Sequence, residues 1–316
     1  MGNESLSIVQ AIFANNWFKG KELAFALAVT MSVGRLGSTL NNLLMPVIAQ
    51  ETSLGWALTF GLVLIIMSYF WGLMLLQLEN IAKKHEDQDS KEEIQENEKV
   101  DWSYVKDFPL SYWIINVNCV TIYISLFMFM NISNDFIMEK YSFSLTAASR
   151  LTSVIFMTTA VLCIVFGIIT DKIGYRVSQI IYASFLLLSA HIIFLTASPC
   201  HQCYISLFPL MMIGVSFSIY TASLWTMIPI VIKEEYLGTA FGITLAIQNC
   251  GLGFGPNIVG ILQSKHGYDS VFIFFIIVSA IGIISGLWLY FVNLIKHDNL
   301  LQMPSSDVVM SSSTED

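Results

Sequence analysis

Arg35 stands in MSVGRLGSTLNN, with the apolar run LAFALAVT before it and LLMPVIA after it. A guanidinium in such a span is costly and faces a cavity or a partner rather than lipid, so it marks a pathway or a paired site. Its fork of N–H donors matches a carboxylate bidentately. An acid lies at comparable depth one segment earlier. Arg35 is 15 residues past Gly20, about 22 Å up its helix, and Glu4 is 13 residues before Trp17, about 20 Å up the preceding one. The polar turn WFKGKE, residues 17–22, joins the two as an antiparallel pair, so Glu4 and Arg35 can face one cavity. Two uses are open. One is a structural ion pair inside the bundle. The other is a site for a zwitterion, with Arg35 on the carboxylate and Glu4 on the ammonium. Ser32, Ser38, Thr39, Asn41 and Asn42 add a polar face to the Arg35 helix, which suits an amino acid or short peptide better than a sugar or a lipid.

Long apolar helices must hold these residues. The 316-residue chain is 55% hydrophobic and 12% charged, with a mean hydropathy of +0.67. Soluble domains carry about a quarter charged residues. Runs long enough to cross a bilayer as helices cover residues 22–48, 54–78, 110–138, 151–170, 177–199, 204–232, 237–263 and 271–295, and 5–17 is a partial span. Helices are expected throughout, since lipid offers backbone groups no other partners.

Charge orders these spans. If successive connections alternate sides, eleven of the 15 Lys and Arg residues fall on one side, three on the other, and Arg35 lies within a span. The basic side is expected to be cytosolic, and it holds the C-terminus. Ten of the 23 acids lie between Glu79 and Asp107, so the net charge of −8 belongs largely to one solvated stretch and says little about ligands. The expected organisation is a remainder of an N-terminal helical half (1–78), a charged cytosolic central loop (79–109), a six-helix half (110–295) and a disordered cytosolic tail (296–316). Six full spans follow the charged loop, and two and a fragment precede it. Against a two-by-six plan, about three and a half spans are missing at the N-terminus. Cys119, Cys163 and Cys250 read as packing residues in spans, and Cys200 and Cys203 as an oxidised loop pair rather than a zinc site.

The loop GIITDKIGYR, between spans 151–170 and 177–199, resembles the signature of the major facilitator superfamily: glycine, three residues, aspartate, a basic residue, any residue, glycine, then two basic residues. Gly167, Asp171, Lys172, Gly174 and Arg176 fit, while Tyr175 replaces the first closing basic residue. Each part has a physical use. Gly167 admits close helix approach. Asp171 suits a neighbouring helix N-terminus. Lys172 and Arg176 keep the loop cytosolic. The plain alternative is a helix end with a turn glycine. The resemblance implies an all-α multi-span membrane protein of the major facilitator superfamily fold, N-terminally truncated to about nine of twelve helices.

The stretches NESL, NNWFKGKEL, SVGRLGSTLNN, VKDF, EKYSFS, GIITDKIG, LGTAFGITLAIQN and HGY are similar to the lysosomal dipeptide-transporter branch of that superfamily, over roughly residues 2–296. This resemblance implies a multi-pass lysosomal membrane protein that exports dipeptides to the cytosol by alternating-access uniport. It also implies an acid and an arginine that clamp the peptide termini, falling on Glu4 and Arg35, and a glycosylated single-span lysosomal accessory partner. The alternatives are a non-transporting membrane partner protein and a carrier of single amino acids or organic anions.

Four further residues are candidates for substrate contact. Tyr123 lies on span 110–138. Trp225 lies before Pro229 and is a pocket wall or, more simply, packing. Gln248 and Asn249 lie mid-span in GITLAIQNCGLGFGP and can reach a peptide backbone, while the glycines beyond them permit bending or close packing. No nucleophile stands with a base, and the five histidines lack ligand spacing, so neither an enzyme, a metal site, a cofactor nor a nucleic-acid partner is expected. Glu4 is the one acid near a span's centre, which favours uniport over a dedicated proton relay.

Overall fold

A computed structural model of the chain describes residues 10, 18, 23–86, 102–296 and 299–307. Among them there are helices and no strand. Helix α1 is Leu23–Glu51, α2 Leu54–Glu86, α3 Leu110–Tyr141, α4 Leu145–Ile173, α5 Arg176–Thr196, α6 Leu207–Val231 and α7 Leu237–Lys296, with short 3-10 turns at Trp102–Asp107, Tyr204–Ser206, Glu234–Tyr236 and Leu300–Gln302. Helix α7 is two limbs joined at Gly267, whose φ of 73° and ψ of −174° are not helical. Each of the eight expected full spans therefore falls on a helix or a limb of one. Helices α2 to α7 are long and apolar enough to cross a membrane. The partial span 5–17 lies outside the described residues, apart from Gln10.

The chain divides into two compact units, Met1–Asn42 with Asp107–Asp316, and Leu43–Lys106. In the first, α3 packs chiefly on α7, α4 on α6, and α5 on both α6 and α7. Its centre is a run of ring contacts among Phe129, Phe136, Phe194, Phe272 and Phe275, with centroids as close as 4.7 Å for Phe136 and Phe272. Apolar burial alone does not drive helices together in lipid, so polar pairs join them. Asn118 of α3 donates to the Gly282 carbonyl at 2.7 Å and to Ser285 Oγ at 2.9 Å, and accepts from Tyr220 of α6 at 2.8 Å. Ser125 of α3 bonds His191 Nε2 of α5 and Ser279 Oγ of α7, both at 2.9 Å. The expected close packing of the 251–260 glycines holds in part. A Cβ on Gly251 would lie 2.9 Å from Val120 of α3, and one on Gly255 would meet Met128, whereas Gly253 and Gly260 have open space.

In the second unit the apolar side chains point outward. Only 6% of the most apolar window of Leu54–Met74 is buried, and Trp56, Leu58 and Ile65 are about two-thirds exposed. Helix α2 continues to Glu86, so the first part of the charged stretch is helical rather than loop. Residues 87–101 lie outside the described residues.

Two expectations need correction. Cys250 is exposed, while Cys119 and Cys163 are buried. Cys200 and Cys203 are joined as a disulfide, as the oxidised-pair reading has it. The tail is not disordered throughout. Residues 299–307 fold back as a strap in which Leu301 and Gln302 are buried, Leu301 N–H donates to Asn293 Oδ1 at 3.1 Å, and Asn293 Nδ2 donates to Asn299 Oδ1 at 3.0 Å. Residues 308–316 lie outside the described residues.

Candidate functional site

Arg35 is carried half-buried on α1, inside the first unit. Ser32, one turn earlier, donates to the Ala160 carbonyl of α4 and so seats this face of α1 on the bundle. Thr39, one turn later, bonds back to the Arg35 carbonyl at 2.9 Å, and Ser38 to that of Gly34 at 3.3 Å, so two of the five residues of the expected polar face are satisfied by their own helix. The Arg35 guanidinium carbon lies 4.4 Å from the ring centroid of Phe217 on α6 and 5.7 Å from that of Phe127 on α3. Among the described residues, no carboxylate pairs with Arg35 and no oxygen accepts from its guanidinium. Glu4 lies outside the described residues.

The rings beneath Arg35 belong to a wall built from faces of α3, α6 and α7. Tyr123 and Phe127, one turn apart on α3, stack at 5.4 Å. Tyr123 meets Phe217 and Tyr220 edge-on at 6.1 and 5.9 Å. Trp225 donates its Nε1–H to Tyr123 Oη at 3.0 Å and stacks on Phe241 of α7 at 6.3 Å. This bond fixes both rings where lone polar atoms would be costly. The face continues along α7. Gln248 is seven residues past Phe241, two turns on and on the same side, about 10 Å away. It is 7% exposed, and its Oε1 has no hydrogen-bond partner among the described residues. A buried acceptor left unmade costs about 1–3 kcal/mol, so it asks for water or a ligand.

The arrangement can bind an anion. A guanidinium over ring faces is held in an apolar setting without being neutralised, and its N–H fork stays available to a carboxylate. Of the six residues expected to meet substrate, the structure brings Arg35, Tyr123 and Trp225 into one aromatic cluster. Gln248 lines an extension of it through Phe241. Asn249 is half-buried on the next face of α7. Phe127, Phe217 and Phe241 were not singled out from the sequence. Phenylalanine stripes are common in such spans, and the one available signal, Tyr123 to Phe127 at helical spacing, also fits ordinary packing.

The signature loop lies at one end of the bundle. Asp171 Oδ2 accepts the backbone N–H of Phe25 in the first turn of α1 at 2.8 Å, which is the carboxylate-to-helix-terminus pairing its position suggested. Gly174 is at φ 74°, in the left-handed region, and any Cβ there would stand 2.5 Å from the Gln302 and Met303 backbone. Lys172 is exposed. Arg176, although it belongs to the loop, is 2% exposed. It donates to the Met303 carbonyl at 2.7 Å and to Ser305 Oγ at 2.6 Å, while Ser305 donates to Asp171 Oδ1 at 2.8 Å. Gly167 is buried in α4.

Residues 1–256 match the family model described as Major Facilitator Superfamily. The protein named "Lysosomal dipeptide transporter MFSD1" from Bos taurus is 33% identical over 312 residues, 95% of this chain and 64% of that protein. The protein of the same name from Homo sapiens is 33% identical over 95% of this chain and 65% of its own length, and that from Danio rerio is 32% identical over 95% and 66%. The chain thus spans about 65% of the length of these relatives.

Proposed function

We propose, on the premise that the chain belongs to the major facilitator superfamily, that it moves dipeptides from the lysosome to the cytosol by alternating-access uniport. The observation that carries the reading is Arg35: a guanidinium held on the faces of Phe217 and Phe127 with no carboxylate partner among the described residues. A dipeptide's C-terminal carboxylate supplies the missing anion, and Glu4 takes its ammonium. Tyr123 and Trp225 form the wall against which a side chain lies. Gln248 Oε1 accepts an N–H from the peptide bond, and Asn249 stands at the edge of the site. These relatives, named lysosomal dipeptide transporters, support the same substrate class and compartment. The signature loop makes one end of the bundle the gate. The contact of Asp171 with Phe25 closes it, and α1 leaves Asp171 when the site opens to that side. Lys and Arg are concentrated on that side, which supports a cytosolic gate and C-terminus. A glycosylated single-span lysosomal accessory protein belongs to the proposal, and co-purification from lysosomal membranes tests it.

The decisive experiment is dipeptide uptake into proteoliposomes by Arg35→Ala. Uptake falls to background while the variant stays monodisperse and sorts normally. Normal uptake by the variant overturns the reading. Thermal stabilisation by dipeptides but not by free amino acids or organic anions separates the substrate classes. Uptake that follows the dipeptide gradient, and is unmoved by a proton gradient, establishes uniport. A wild-type chain that transports nothing yet captures a membrane partner returns the non-transporting reading.

A further inference from the structure

The Ser305 hydroxyl sits between two charges of the signature loop. It donates to Asp171 Oδ1 at 2.8 Å and accepts from Arg176 Nη2 at 2.6 Å. The other oxygen of the same carboxylate holds the Phe25 N–H of α1 at 2.8 Å. One carboxylate therefore ties the first turn of α1 to the strap 299–307. The strap is not a loose end lying nearby. Gln302 accepts from Tyr175 N–H at 2.9 Å and its Nε2 donates to Ser178 Oγ at 2.8 Å; Arg176 holds the Met303 carbonyl, and Leu301 is fully buried. Gly174 is needed for the fit, since the strap backbone occupies the place of its Cβ. The seat is thus shaped for this segment.

We propose that the C-terminal strap is a working part of the gate, and that Ser305 is a positioning residue that aims the Asp171 carboxylate at α1. This rests on the alternating-access reading above. A carboxylate turns readily about its terminal bond, and the Ser305 bond to Oδ1, itself braced by Arg176, fixes the carboxylate plane so that Oδ2 faces α1. With the strap docked, Asp171 is oriented and Arg176 stays paired. With the strap released, Asp171 turns toward Arg176, the Phe25 contact weakens, and the equilibrium shifts toward the form open at this end. The tail thereby sets the resting balance between the two open states without touching substrate.

The test is hydrogen exchange on the whole 316-residue chain in lipid nanodiscs, with no substrate present. In Ser305→Ala, exchange of the Phe25 amide rises about tenfold, as for loss of a hydrogen bond to a charged group. Truncation after Lys296 gives at least the same rise, and Ser305→Thr, which keeps the hydroxyl, restores protection. Peptides from Gly214 to Trp225 keep their protection in all three, which excludes general loosening. If the Tyr175 amide loses protection while Phe25 keeps it, the strap leaves without moving the gate and the inference falls. The wild-type chain gives a second check should a variant misfold: Phe25 must exchange no faster than Tyr175, and faster exchange at Phe25 means that the gate opens beneath a docked strap and overturns the proposal. Neither readout uses transport. A normally transporting Arg35→Ala would sink the substrate site and leave the strap result standing, and the reverse holds as well.

Discussion

Two arginines in this chain are placed in apolar surroundings and treated in opposite ways. Arg176 is 2% exposed and spends its terminal nitrogens on Met303 and Ser305, with Asp171 beyond the serine. Arg35 has ring faces beneath it and, among the described residues, no oxygen at all. A buried charge whose partners come from the fold does structural work, because breaking such a set leaves an uncompensated ion. A charge that, among the described residues, rests on π faces alone keeps its donors for an anion. The same residue type thus marks a joint in one place and a binding site in the other, and satisfaction by oxygen separates them.

The pair Arg176→Gln and Arg35→Gln tests this separation most strongly. Arg176→Gln unseats the strap and takes the Ser305 hydroxyl from Asp171, at a cost of about 3 kcal/mol, and its melting temperature in detergent falls by roughly 6 °C or more. Arg35→Gln leaves the melting temperature within about 2 °C of wild type, because no bond to oxygen among the described residues is lost, yet abolishes dipeptide uptake. Equal losses of stability in the two variants would erase the distinction.

Gly174→Val sharpens the structural side. The φ of 74° is unfavourable for a branched residue, and the Cβ meets strap backbone at 2.5 Å, so neither strain can be relieved by turning a side chain. The expected loss is about 2 kcal/mol, read as a lower melting temperature with Tyr175 amide exchange raised. A drop in affinity without a drop in stability would mean that the loop reaches the substrate site directly.

The sequence made the spans legible because twenty-residue apolar runs have few alternatives in a protein this hydrophobic. It made Arg35 and Asp171 legible because charge beside such runs must have a reason. The pairing of Asp171 with a helix N-terminus was readable from its chemistry, although its partner Phe25 was not. The strap was hidden by composition. A tail rich in serine and acid reads as solvated, and the signal against that, Leu300, Leu301 and Met303 followed by Pro304, is only four residues long. The role of Arg176 was missed with it, since burial of a loop arginine depends on a segment about 127 residues away. The wall of Phe127, Phe217 and Phe241 was invisible for another reason: in a chain with 22 phenylalanines, which three share a face depends on how α3, α6 and α7 pack.

Phe217→Leu probes the binding side by keeping most of the volume and removing the π face. Loss of a desolvated cation–π contact raises the dipeptide KM about fivefold, with kcat and melting temperature little changed. An unchanged KM would mean that the ring is packing and that Arg35 owes its place to the seat made by Ser32.

Trp225→Phe is the mildest change and asks whether the wall must be stiff. It keeps an aromatic ring beside Phe241 but removes the donor to Tyr123 Oη, so the tyrosine is free to turn. One neutral hydrogen bond is worth about 1 kcal/mol, and a roughly threefold rise in KM follows, confined to dipeptides with large side chains. The confinement is the point. If Trp225 and Tyr123 wall a side-chain pocket, small dipeptides bind to Arg35 as before, because the carboxylate end does not touch the changed ring. A uniform rise across all dipeptides would show instead that Tyr123 steadies the rings under the guanidinium. The aromatic cluster would then belong to Arg35 alone, in the way the strap belongs to Arg176.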